Sequence, residues 1–107
     1  LTARDEIVVL VTVPSAEEGG RIAEAIVGER LAACVNIVGP IRSVYRWEGQ
    51  VARDEEHLLV VKTIGGRYPV LEARLLELHP YDVPEVIALP IRAGSAAYLA
   101  WIRGETS

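Results

Sequence analysis

The segment Leu31–Trp47 restricts the fold more than any other part of the chain. It outlasts an ordinary strand, yet Cys34, Val35, Ile37, Val38, Ile41, Val44, Tyr45 and Trp47 all suit one. Gly39-Pro40 interrupts the middle, but apolar residues resume at once, which predicts a bulge or bend rather than a turn. Glu48-Gly49-Gln50 is a turn signal, after which Val51 and then His57–Ile64 read as the returning strand. The two halves make one extended hairpin. A strand of about 15 residues reaches roughly 50 Å, against the usual 5–6 residues, so the hairpin must overhang any small sandwich.

The remaining elements fall on either side of it. Glu6–Val13 is a continuous β-branched run, as in a buried central strand, and Pro14 ends it. Ser15-Ala16-Glu17-Glu18 fits a capping box for a helix whose Ile22 and Ile26 face the core. Gly65-Gly66 closes the hairpin, and Arg67–His79 reads as a second helix with Val70, Leu71, Arg74, Leu75 and Leu78 on one stripe. Glu85–Ile91 is the last strand, and Gly94-Ser95 precedes a terminal helix carrying Tyr98, Leu99, Trp101 and Ile102. The order β-α-β-β-α-β plus a helix is the α+β, ferredoxin-like split βαβ arrangement: an antiparallel four-stranded sheet with helices on one face. An apolar overhang bearing Tyr45 and Trp47 is an exposed sticky edge, so a partner is expected to cover it.

Composition narrows the function classes. The 107 residues suit one domain, residues 1–107, and 50% hydrophobic content builds a real core. A net charge of −4 provides no basic face for nucleic acid. The longest uncharged apolar run, Leu31–Ile41, falls short of the roughly 20 residues of a membrane span. One cysteine cannot form an internal disulfide, and no signal peptide precedes the first strand, so cytoplasmic residence is expected. No nucleotide-binding glycine fingerprint, Cys-x-x-Cys pair or Gly-x-Ser-x-Gly elbow occurs.

Few residues offer chemistry. Cys34, in Ala32-Ala33-Cys34-Val35-Asn36, reads as a core cysteine or as a soft-metal ligand; no basic neighbour activates it as a nucleophile. His79 reads either as a cation on a helix C-terminus or, with Tyr81, Asp82 and Glu85, as part of a loop cluster for a metal or an anion. His57 is expected to face solvent. Lys62, the only lysine, shares a strand face with Leu58, Val60 and Ile64. It is either an edge or rim lysine with its stem on apolar surface, or a partner for a carboxylate such as Glu85. Tyr45, Trp47, Tyr81, Tyr98 and Trp101 suit interface packing first and a ligand box second.

Taken in order, Val11-Thr12-Val13-Pro14, Leu31-Ala32-Ala33-Cys34-Val35-Asn36, Tyr45-Arg46-Trp47-Glu48-Gly49, Lys62-Thr63, His79-Pro80-Tyr81-Asp82-Val83-Pro84-Glu85 and Tyr98-Leu99-Ala100-Trp101 resemble the CutA divalent-cation tolerance proteins from Glu6 to Ile102. The resemblance implies a ferredoxin-like homotrimer, a role in tolerance of copper and other divalent cations, similarity to the PII signalling trimers, and no enzymatic activity. In relatives with proposed copper ligands, a cysteine stands at the position of Val11 and a histidine at that of Leu78. Neither residue here can ligate, which leaves His79 and Cys34 and implies weak binding, with no cofactor required. Two readings compete: a metal-responsive trimer, and a PII-like scaffold that takes a small effector or a partner protein in inter-subunit clefts. Lys62, Tyr81, Glu85, Trp47 and Trp101 are the cleft candidates.

Overall fold

The computed structural model describes residues 2–107. Its elements run β1 (Glu6–Val13), α1 (Ala16–Gly28), β2 (Cys34–Trp47), β3 (Gln50–Ile64), a 3₁₀ turn (Gly65–Arg67), α2 (Tyr68–Leu78), β4 (Val86–Pro90) and α3 (Ala96–Glu105). The strands form one antiparallel sheet in the order β2-β3-β1-β4. This is the expected split βαβ arrangement.

Period-two alternation builds the core. Ile7, Val9, Val11 and Val13 of β1 and Leu59, Val61 and Thr63 of β3 point to one face and are fully buried. Against them pack Ile22 and Ile26 of α1 and Leu71 and Leu75 of α2. Ser15 caps α1 by accepting a bond from the Glu18 amide at 3.1 Å. Only half of the capping box forms, because the Glu18 carboxylate pairs with Arg21 instead. On α2 the expected stripe narrows: Val70 is exposed, Leu71 and Leu75 are fully buried, and Leu78 and Tyr68 pack partly buried against the core.

The hairpin is continuous, and β3 begins directly at Gln50 rather than resuming at His57. Glu48 and Gly49 both take positive φ, 52° and 79°, giving the two-residue turn whose twist matches antiparallel strands. β1 pairs with β3 only between His57 and Ile64, so everything from Ile41 to Glu56 overhangs. That overhang gives a molecule 43 Å long and only 26 × 23 Å across. The register slips between Val38 and Ile41, at the expected Gly39-Pro40 irregularity. A Cβ on Gly39 would lie 2.7 Å from the His57 ring, so only glycine allows the bulge to close over it. His57 is therefore tucked beneath the bulge, its Nδ1 without a partner among the described residues, not turned to solvent as its acidic neighbours suggest.

The sheet's other face is covered only at one end. There α3 buries Ile102, Arg103 pairs with Glu6, and Arg67 donates to the Thr106 carbonyl at 2.7 Å. Val38, Ile87 and Leu89 remain 44–48% exposed on that face.

Candidate functional site

The candidate residues separate into two places. Lys62 lies opposite Cys34 on β2 and opposite Val8 on β1, so it sits inside the sheet and not on an edge strand. Its ammonium donates to Asn36 Oδ1, which also accepts from Cys34 Sγ at 3.9 Å. Cys34 is half-buried, not a core residue. Tyr98 of α3 lies beside it, and its ring stacks on Trp101 at 5.5 Å between centroids. Burial and then the Cys34 side chain push the Tyr98 phenol above its ordinary pKa.

At the other end, the connector between α2 and β4 folds over the root of the hairpin. A cleft of about 680 Å³ opens there, lined by Thr12, Tyr45, Trp47, Asp54, Glu56, Tyr81, Asp82 and Glu85 among others. The expected loop cluster supplies one wall, Tyr81, Asp82 and Glu85, and the overhang supplies the other. A Lys62–Glu85 pair does not form: Lys62 lies beside Val8, whereas β4 opens opposite Val11 immediately after Glu85.

His79 lies behind Thr12 and Tyr81, which it contacts, and is only 7% exposed. One ring nitrogen, Nε2, lies 2.7 Å from the Thr12 carbonyl, while Nδ1 accepts the Tyr81 amide at 3.1 Å. A carbonyl accepts and an amide donates, so these partners select the neutral Nε2–H tautomer. The His79 side chain is therefore a buried brace between β1 and the connector, not a cation on the end of its own helix. Thr12 and Val8 are four residues apart on β1, about 13 Å along the strand, so His79 and Cys34 of one chain do not share an ion. Among the described residues, no three His, Cys, Asp or Glu side chains gather closely enough to hold a metal.

Two phenol–carboxylate pairs line the cleft, one joining its two walls and one within the overhang. Tyr81 donates to Glu56 Oε2 at 3.0 Å, and Tyr45 donates to Asp54. Burial first, then the Glu56 carboxylate, pushes the Tyr81 phenol up to about 12. Tyr68 rises equally, to about 12, by burial and then by its bond to Glu72. Folding raises both values, so their contribution is intact below the unfolded value near 10 and is lost as pH climbs through about 12. An ultraviolet tyrosinate titration should show all four tyrosines ionising above their ordinary value, Tyr68 and Tyr81 last, with stability falling in that window. Four phenolates all appearing near pH 10 would contradict both contacts.

Sequence reading missed Asp54 and Glu56. The usable signal was the strand period: with the turn at Glu48-Gly49, Asp54 faces with Ser43, Tyr45 and Trp47, and Glu56 with Ile41.

Comparison with known proteins agrees with this architecture. Residues 7–105 match the family model described as CutA1 divalent ion tolerance protein. The divalent-cation tolerance protein CutA of Thermus thermophilus is 55% identical over 101 residues, covering 94% of this chain and 98% of that one. The solved Thermus structure superposes with a TM-score of 0.93, covering 95% of this chain and 99% of that one. Rice Protein CutA 1, named chloroplastic, is 51% identical over 98% of this chain but only 59% of its own length. None of the described helices is long and apolar enough to cross a membrane. By sequence, topology and superposition together, this chain belongs to the CutA1 divalent ion tolerance family.

Proposed function

We propose that the protein acts as a cytoplasmic homotrimer in tolerance of divalent cations, copper among them, and that it binds such ions weakly and catalyses no reaction. The observation that carries the trimer is the uncovered apolar surface. Val38, Ile87 and Leu89 on the sheet, and Trp47 and Val44 on the overhang, are 44–64% exposed and call for burial by further copies. The hydrogen bonds of His79 support weak metal binding. Its Nδ1 lone pair is already taken by the Tyr81 amide, so ligation must break a formed bond, and Cys34 of the same chain is out of reach. A second reading is a PII-like scaffold that binds a small effector or a partner protein in clefts between subunits, supported by the opening of this chain's cleft on the overhang that further copies would meet.

The test is a calorimetric titration of copper and zinc into metal-stripped protein at pH 7 and 5.5, alongside His79→Ala and Cys34→Ser. The expected result is binding weaker than micromolar that disappears in His79→Ala and is weaker at pH 5.5 than at pH 7, because protons compete with the metal for its ligands. Submicromolar copper binding that survives His79→Ala would place the ligands elsewhere.

A further inference from the structure

Strand β3 carries opposite charges toward its two ends on one face of the sheet. Leu59, Val61 and Thr63 face the core, so period-two alternation puts Asp54, Leu58, Val60 and Lys62 on the opposite, open face. Lys62 is the chain's only lysine, and its ammonium donates to the neutral side chain of Asn36. Asp54 lies exposed in the overhang and accepts from the Tyr45 hydroxyl. Among the described residues, neither enters an ion pair. Eight residues separate the two, about 26 Å along an extended strand, so they do not meet within one chain.

Between these charges the open face is apolar. Leu58 and Val60 are half-buried, and Val38, Ile87 and Leu89 beside them are exposed. The surface is a strip with a carboxylate at its overhanging end, an ammonium toward α3, and apolar side chains in the middle. A closed ring of three joins each copy to the next through two different patches. The overhang extends past its own core, so it supplies one patch, with Tyr45, Trp47 and Asp54 on its open-face side. The other patch has to be apolar and to carry a cation for Asp54, because a carboxylate buried in an interface without one is costly. The open sheet face meets both needs, and Lys62 is the one basic residue that the four strands present to it.

We propose that the overhang of each subunit docks on the open sheet face of the next, with Asp54 of one copy paired to Lys62 of its neighbour. The inference rests on the trimer reading and names the surfaces that make it. It is tested by a double-mutant cycle of Asp54→Asn, Lys62→Gln and the two combined. Asparagine keeps an acceptor for Tyr45 and glutamine keeps a donor for Asn36, so each change removes charge alone. Sedimentation equilibrium over a dilution series, at a fixed urea concentration where the wild-type oligomer begins to dissociate, gives the assembly constants. Each single variant should weaken assembly at least about tenfold, and the combined variant no more than either one. Glu55→Gln, on the opposite face of the hairpin, should leave the constant unchanged.

An oligomeric wild type with an unchanged constant in Asp54→Asn, or with losses that add in the combined variant, overturns the pairing and leaves the trimer standing. An equal loss in Glu55→Gln also overturns it, since net charge would then explain the effect. Wild type at the subunit mass without urea overturns the pairing and the trimer together.

Discussion

Trp47→Ala is expected to take the assembly apart while leaving each subunit folded. The ring is half exposed at the end of the hairpin, and from Ile41 to Glu56 the two strands pair only with each other. No residue of the buried cluster lies in that overhang, so its loss leaves the core untouched. Buried aromatic anchors at interfaces typically contribute about 2 kcal/mol or more, and a closed ring of three would lose three of them. Sedimentation should show wild type at three times the 11.7 kDa subunit and the variant near the subunit mass at micromolar concentration, with unchanged far-ultraviolet circular dichroism. A fully assembled variant with an unaltered melting temperature refutes the anchor. Wild type sedimenting near 12 kDa refutes the trimer.

Leu75→Ala should act on the subunit itself. Leu75 and Leu71 are the only fully buried side chains of α2, and both lie against the sheet that His79 and the cleft connector depend on. Removing a buried leucine side chain costs about 2–5 kcal/mol, part of it for the cavity left behind. Leu76→Ala, one residue along and 51% exposed, removes the same atoms from the helix surface and should change stability by less than about 0.5 kcal/mol. Urea unfolding at fixed protein concentration compares the two, which keeps the assembly equilibrium constant. Equal losses in both variants would mean that α2 does not pack as described.

The metal expectation illustrates where local reading stops. His79 and Cys34 are the residue types that hold soft cations, and their chemistry is visible in the sequence. Whether they meet depends on β1, which pairs with β3 and so places Lys62 and Cys34 near Val8 while Thr12 receives His79. That is a property of strand register, and no local pattern around either residue encodes it. The same holds for Lys62, whose Glu85 alternative fails on register alone.

By itself, the sequence determined the order of elements, the helix cap at Ser15, the bulge at Gly39-Pro40 and the overhanging hairpin. Each follows from short-range causes: side-chain periodicity, a hydroxyl reaching the Glu18 amide, and a turn at Glu48-Gly49. Tertiary structure alone decided that His57 lies beneath the bulge, that His79 braces the Thr12 carbonyl, and that Glu56 is buried against Tyr81. These contacts join residues 18, 67 and 25 positions apart, through strand pairing and the fold of the connector. A side chain's burial and bonding partners are set by what packs over it, and only the completed sheet brings those neighbours together.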